Sequence, residues 1–190
     1  MAQRLTPLPP AELTDEQRAV YDGITGGDRL KGTQHFPVVA PDGSLNGPFG
    51  IMVEVPGVGS ALQELGAAIR YRTSLTARIR EIGILLVASK LSSAFEWWAH
   101  ERVARAVGLD DAELAELEQG GFSSTDPAEQ AAADLSVALL DNTVVTDEQY
   151  ARYHDVLGVQ AVVELTSLVG YYRTLAQLMA VFDIGIPAGT

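Results

Sequence analysis

Apolar positions recur along the chain at the three- to four-residue spacing of amphipathic helices, and no long stretch alternates apolar and polar residues as a half-buried strand does. Two helix starts carry a capping box, Thr14 with Gln17 and Thr146 with Gln149, in which side chain and backbone satisfy free amides reciprocally. The pattern predicts an all-α fold. The predicted helices cover residues 14–25, 60–72, 76–90, 93–107, 111–119, 126–142, 147–157 and 160–182.

Residues 26–50 break this pattern, because they are rich in Gly, Pro, Asn and Asp and so predict an irregular loop. A loop of this length inside a compact domain is often functional. We therefore expect a lid or a subunit-wrapping arm, with His35, Asp42 and Asn46 as candidate substrate contacts. Neither an interdomain linker nor a solenoid-length repeat is visible, so residues 1–190 are predicted to form a single domain.

The helix predicted over residues 76–90 is apolar on almost every side beyond its first turn, which is typical of a central, buried helix. Glu81 lies within this apolar run and projects between Leu85 and Ala88. A carboxylate in such a place must be paired, hydrogen-bonded or protonated.

The helix predicted over residues 93–107 carries two further polar groups on its apolar side. At 100° per residue, its apolar arc holds Phe95, Trp97, Ala99, Val103, Ala104, Ala106 and Val107. The opposite side holds Trp98, Glu101, Arg102 and Arg105. Glu96 and His100 fall inside the apolar arc, and their i,i+4 spacing lets the side chains meet. An acid and an imidazole buried together are costly for stability alone but well suited to proton transfer.

Other interpretations of this cluster stay open. A Glu–His pair can serve helix packing only, because structural ion pairs are also found buried. Glu81, Glu96 and His100 are a conceivable set of metal ligands, although no HExxH or second ExxH pattern reinforces them, and we predict no metal. A hydrolase that uses Ser92 or Ser93 lacks the GxSxG elbow.

Composition narrows the class of protein. The 190 residues include 13 Lys and Arg, 25 Asp and Glu and no Cys, for a formal net charge of −12. This balance disfavours nucleic acid and anionic membranes as partners, and the lack of Cys excludes disulfides and thiol redox chemistry. The sequence shows neither a bilayer-spanning run nor a secretory signal, so we expect a soluble cytoplasmic protein.

The cations are unevenly placed. Residues 70–105 carry a net charge of +4, whereas the rest of the chain carries −16. The seven cations of this window are Arg70, Arg72, Arg78, Arg80, Lys90, Arg102 and Arg105. They predict either salt bridges between helices or subunits, or a site for an anionic small molecule.

The stretch RIREIGILLVASKLSSAFEWWAHERVARAVGL resembles the central motif of the carboxymuconolactone decarboxylase family, which shares the all-helical AhpD-like fold with alkylhydroperoxidase proteins. The resemblance runs from about Gly47 to Phe182. Its most specific part is the pattern EWxxH-x3-A-x3-G, preceded by Arg80-Glu81. Peroxidase members carry a CxxC pair where this chain has Ser93 and Glu96, so the resemblance implies a branch without peroxidase activity.

The resemblance implies a cofactor-independent carboxy-lyase acting on a small anionic lactone or unsaturated acid. His100 would be the general acid, with its pKa raised by Glu96 or Glu81, and the lactone carbonyl would be the electron sink. Further candidates are an arginine that holds a substrate carboxylate, dry walls around the reacting carbon, and a tyrosine of the last helix that reaches the site. The candidate substrate-binding residues are Arg80, Arg72, Trp97, Ser93, His35 and Asn46, with Arg70, Arg78, Phe95, Tyr171 and Tyr172 as further candidates.

Two alternatives in function remain. The same proton-transfer residues suit an isomerase or an aldol-type enzyme of this fold, and a non-enzymatic binding or scaffold protein could keep the cluster for packing. The family resemblance and the surplus of apolar residues in several helices also predict a homo-oligomer, a trimer or a hexamer.

Overall fold

The computed structural model describes residues 4–31, 33–141 and 144–187. In these ranges the regular structure is helical, apart from one isolated antiparallel bridge between Val39 and Leu45, and the all-α prediction is confirmed. The helices are α1 (Asp15–Thr25), α2 (Pro48–Glu54), α3 (Pro56–Tyr71), α4 (Ala77–Lys90), α5 (Ala94–Ala106), α6 (Asp111–Glu118), α7 (Pro127–Leu140) and α8 (Asp147–Phe182).

The chain divides into two compact units, Met1–Arg72 with Gln177–Thr190, and Thr73–Ala176. Helices α1 to α3 belong to the first unit, and α4 to α7 with most of α8 belong to the second. The organisation of residues 1–190 as a single domain stays a prediction.

In the first unit, α1 packs against α2 and α3. The predicted capping box at its start is present, because Thr14 Oγ1 accepts from the Gln17 amide while the Gln17 side chain accepts from the Thr14 amide. Helices α2 and α3 approach so closely that a Cβ atom at Gly59 would lie 1.8 Å from the carbonyl oxygen of Met52. Only glycine fits at this contact.

In the second unit, α4 is the central helix and packs against α5, α6 and α7. All its side chains from Glu81 to Ala88 are buried, as its uninterrupted apolar run predicts. Gly83 allows α8 to approach α4, because a Cβ there would lie 3.1 Å from Leu168 and 3.2 Å from Leu165 side-chain carbons. The buried polar residues of α4 and α5, Glu81, Glu96 and His100, therefore lie in a tightly packed interior.

Two differences from the predicted helices have local causes. Helix α2 begins inside the segment predicted as a loop, where Gly47 takes a φ of 62° and Pro48 occupies the first helical turn. Pro at this position is a helix-start signal, and the Gly- and Pro-rich composition hides it. Helix α8 combines the two last predicted helices, and Gly158, with a φ of 78°, breaks the helical geometry between them.

Candidate active site

Glu81, Glu96 and His100 meet in the interior of the second unit, on two successive helices. Glu81 comes from α4, while Glu96 and His100 lie one turn apart on α5. Their exposed fractions are 2%, 2% and 3%. The structure therefore confirms the burial that the helix pattern predicts for the three residues, and it shows that Glu81 lies beside the Glu96–His100 pair.

The imidazole of His100 lies between the two carboxylates. Its Nδ1 atom is 2.7 Å from Oε2 of Glu81, and its Nε2 atom is 3.5 Å from Oε2 of Glu96. A carboxylate on Nδ1 fixes the orientation of a histidine ring and determines which nitrogen faces the partner on the other side. Two carboxylates around one imidazole favour its protonated form, because each negative charge stabilises the positive ring.

The start of α5 adds to this electrostatic setting. Glu96 lies in the first turn of the helix, where the unpaired backbone amides and the helix dipole favour a negative charge. Ser93 is the N-cap residue and is 8% exposed, yet its side chain makes no capping hydrogen bond in the described structure. The preceding residue, Ser92, has a φ of 52°, so the turn between α4 and α5 is tight.

A third helix reaches His100 from α8. The ring of Tyr172 is 3% exposed, and its centroid lies 5.2 Å from that of His100 at an interplanar angle of 88°. Of the two tyrosines considered from the sequence, Tyr172 is thus the one whose ring packs on the imidazole. Tyr171 packs edge-on against Tyr172 in turn, with centroids 5.2 Å apart.

The two tryptophans of α5 differ from the helical-wheel prediction, because Trp98 is the more buried of the two and Trp97 the more exposed. Trp98, expected on the polar side, is 7% exposed and packs with Phe95 at 5.6 Å between ring centroids. The Arg102 guanidinium lies 4.8 Å above its ring and covers it from solvent. Trp97, a predicted substrate contact, is half-buried. Trp98 is buried although the helical wheel places it among polar residues, because burying the large apolar area of its indole is strongly favourable.

Arg78 is a structural residue in this unit. Its guanidinium bonds Glu129 at 2.6 Å, Glu113 at 2.5 Å and the Gly108 carbonyl at 2.6 Å. The hydrogen bonds that Arg78 donates to Glu129 and Glu113 raise the pKa of Arg78 further above its usual value. The Arg78 bond in turn lowers the pKa of Glu129, against the opposing effect of burial. This network joins α4, α6 and α7.

Two other cations of the basic window also form ion pairs, Lys90 with Asp141 at 3.0 Å and Arg105 with Glu101 at 3.0 Å. The salt-bridge interpretation therefore accounts for Arg78, Lys90 and Arg105. Arg80 is half-buried and donates a hydrogen bond to the Leu75 carbonyl at 2.7 Å. It stays a candidate for a substrate carboxylate.

Three predicted substrate contacts and Arg70 belong to the other compact unit. Arg72 is exposed, His35 is half-buried, and the Asn46 side chain donates to the Pro37 carbonyl at 3.0 Å within its own loop. That bond gives Asn46 a structural role in shaping the loop. The substrate-binding roles of Arg72, His35 and Asn46 stay predictions.

A cleft of about 390 Å³ lies elsewhere on the second unit and was not predicted from the sequence. Its wall includes Phe122, Val137 and Tyr153, and Arg152 and Asp134 pair at 2.8 Å along it. None of the three residues of the Glu–His cluster lines this cleft.

Over residues 4–31, 33–141 and 144–187, no group of three His, Cys, Asp or Glu residues is arranged to hold a metal ion. In the same ranges, no helix has both the length and the apolar character needed to cross a membrane.

This geometry agrees with the comparisons to known proteins. Residues 56–137 match the model of the carboxymuconolactone decarboxylase family. A cysteine-to-alanine variant of the debrominase Bmp8, solved with 2,3,4-tribromopyrrole, is similar to the chain with a TM-score of 0.72 and 16% identity, over 99% of this chain and 94% of that one. Apo Bmp8 gives a TM-score of 0.71 and 16% identity, over 96% and 91%. No curated protein matches the chain.

The structural likeness defines the fold as AhpD-like. Glu81, Glu96 and His100 all lie within the segment that matches the carboxymuconolactone decarboxylase family model. No Cys occurs anywhere in the sequence, so the chain has no CxxC pair.

Proposed function

We propose that the chain is a non-redox, cofactor-independent lyase of the carboxymuconolactone decarboxylase type, acting on a small anionic lactone or unsaturated carboxylic acid. The observation that carries this proposal is the buried imidazole of His100, 2.7 Å from Glu81 and 3.5 Å from Glu96. Proton-transfer groups matched in this way are characteristic of acid–base sites. The family match over residues 56–137 supports the reaction class.

The two distances favour different roles for the two carboxylates. Glu81, at 2.7 Å from Nδ1, holds the ring and stabilises its positive charge. Glu96 lies farther from the ring, with 3.5 Å between its Oε2 atom and Nε2. Nε2 is therefore the atom that exchanges a proton with the substrate, and Glu96 returns the proton to it afterwards.

In the proposed reaction the bond between the substrate carbon and its carboxylate breaks and CO₂ leaves. The electron pair of that bond moves into the conjugated lactone carbonyl to form a dienolate. The His100 imidazolium then donates its Nε2 proton to a carbon of the dienolate. A proton from solvent, passed through Glu96, returns His100 to its protonated form. The burial of the cluster strengthens these electrostatic interactions, because the surrounding dielectric constant is lower than that of water.

Three further residues of the same unit support the proposal as substrate contacts. Arg80 is the second arginine of α4, and its planar guanidinium suits a carboxylate. Ser93 and the half-buried Trp97 flank Glu96 on α5 and supply a hydroxyl and an apolar wall.

The direct test is CO₂ release from 4-carboxymuconolactone and related β,γ-unsaturated acids. The wild type should release CO₂ from at least one of them, and His100→Ala should lose about 10²- to 10⁴-fold in kcat. His154→Ala is the matched control, because this imidazole is 51% exposed and should leave turnover unchanged. No turnover by the wild type overturns the lyase assignment, and a loss below about tenfold in His100→Ala excludes His100 as the acid.

Mass spectrometry of the products separates related chemistry. A product lighter by CO₂ supports the lyase, whereas a product of unchanged mass shows an isomerase that uses the same residues. Condensation with a second molecule would show an aldol-type enzyme. Isomerisation or condensation would retain acid–base catalysis but overturn the assignment as a decarboxylase.

The homo-oligomer, a trimer or a hexamer, and the cytoplasmic location belong to the same proposal. Helix α8 exposes Val159 and Val163 by 58% and 59%, and apolar side chains left in water favour burial against another copy. Light scattering at micromolar concentration should give a multiple of 20.3 kDa. A monomeric mass overturns this part without affecting the chemistry.

A further inference from the structure

Tyr172 is the aromatic side chain of α8 that packs on His100, and it lies outside the segment matched by the family model. Its ring is perpendicular to the imidazole, at 88°, with 5.2 Å between centroids. Both side chains are 3% exposed. This contact is a feature of the full chain that the matched residues 56–137 do not contain.

The two carboxylates hold the imidazole through its nitrogens, Glu81 at Nδ1 and Glu96 near Nε2. Rotation about the bond that joins the ring to Cβ exchanges the positions of Nδ1 and Cδ2, so it would break the 2.7 Å contact between Nδ1 and Glu81. A second ring packed perpendicular to the imidazole resists this rotation sterically.

We propose that Tyr172 is a positioning residue that holds the His100 ring with Nδ1 on Glu81 and Nε2 towards Glu96. The inferred orientation rests on the contacts of these four residues. Its use in proton transfer rests on the proposed function.

Tyr172 is itself braced on α8. Tyr171 packs edge-on against it at 88°, with 5.2 Å between the centroids, and is 4% exposed. A side chain that restrains another must have little freedom of its own, and burial together with this second contact provides that. The side chains in contact here come from three helices, Glu81 from α4, Glu96 and His100 from α5, and Tyr172 from α8.

The same helix provides a matched control. Tyr153 is 1% exposed and belongs to the same compact unit, and its ring lies 5.1 Å from the Arg152 guanidinium. Truncating it removes the same amount of buried aromatic surface as truncating Tyr172. Any effect on His100 that both truncations share is a general effect of a cavity in the core.

The test is ¹⁵N NMR of the imidazole nitrogens in the whole chain, which has only three histidines to assign. Tyr172→Leu should change the Nδ1 and Nε2 shifts of His100, which report the tautomer and the hydrogen bonding of the ring. Tyr172→Phe, which keeps the ring, should retain the wild-type pattern. Tyr153→Leu should leave His100 unchanged, while the signals of His35 and His154 serve as internal references in every variant.

Unchanged His100 shifts in Tyr172→Leu, or equal changes in Tyr172→Leu and Tyr153→Leu, overturn the proposal. Tyr172→Met, which fills more of the space with a flexible chain, replaces Tyr172→Leu if the latter does not fold, and the same two outcomes decide. If the wild type has the proposed lyase activity, Tyr172→Leu should lower kcat by about 100-fold with little change in KM, and Tyr172→Phe should restore it. If the wild type has no such activity and the NMR pattern holds, the proposed function fails and the positioning role stands.

Discussion

Nδ1 of His100 and Oε2 of Glu81 are 2.7 Å apart, although 19 positions separate the two residues along the chain. The contact exists because the turn at residues 91–93 folds α5 back onto α4. It places an acid inside a helix that has no other buried charge. Loss of either partner leaves the other buried without its hydrogen bond. Such an unpaired buried group costs more stability than the loss of both partners together.

Glu81→Gln should lower the pKa of the His100 imidazole relative to the wild type, because the amide keeps the shape and a hydrogen bond but removes the negative charge. An NMR titration of the three histidines measures this. The change should be confined to His100, and Glu116→Gln, at an exposed position of α6, is the control. An unchanged His100 titration in Glu81→Gln would show that the Glu81 charge has no influence on the ring.

Glu96→Gln should lower kcat by about 10²-fold or more in the CO₂-release assay, because the amide cannot return a proton to Nε2. Glu101→Gln is the control on the same helix, since Glu101 pairs with Arg105 and not with His100. It should retain wild-type kcat. Equal activity of the two variants would remove Glu96 from the mechanism and leave it a packing residue.

Helices of the second unit could be predicted closely because their ends carry local signals. Thr76 caps α4 through a bond from the Ile79 amide, and the Thr146–Gln149 box starts α8. Helix α2 could not be predicted in this way, because Gly47 and Pro48 indicate a turn as readily as a helix start. The approach of α2 to α3 that fixes this helix is a tertiary contact, invisible to a local pattern.

The site divides in the same way. Helical periodicity is enough to place Glu96 and His100 together and to bury Glu81, because all three depend on the phase of two well-marked helices. Periodicity does not reveal that Arg78 forms salt bridges with Glu113 and Glu129, because these pairs form only where α4, α6 and α7 pack together. The choice of Tyr172 over Tyr171 likewise required the packing of α8.

Arg78→Met should lower the free energy of unfolding by about 3 kcal/mol near neutral pH, because Glu113 and the largely buried Glu129 then lose their shared cation. Arg105→Met is the control, and it should change the stability much less, because solvent screens the more exposed Arg105 pair. Denaturant unfolding curves measure both.

The Arg78 effect should depend on pH. The pKa of Glu129 lies below its usual value of 4.5, through the Arg78 bond and against burial. A carboxylate with a lowered pKa stabilises the fold above the unfolded-state value and loses this contribution as pH falls through the folded-state value. The difference in stability between wild type and Arg78→Met should therefore shrink as the pH falls below 4.5. A constant difference would show that Glu129 does not carry the effect.

Gly59→Ala should destabilise the first unit by about 3 kcal/mol or prevent its folding, because the new methyl group would lie 1.8 Å from the Met52 carbonyl oxygen and force α2 and α3 apart. Gly57→Ala is the matched control, two residues earlier on α3, where nothing lies within 4 Å of the added Cβ. There the substitution should be neutral or stabilising by up to about 1 kcal/mol, since alanine favours helix. Thermal unfolding followed by circular dichroism compares the two, and equal melting temperatures would contradict the close approach of α2 and α3.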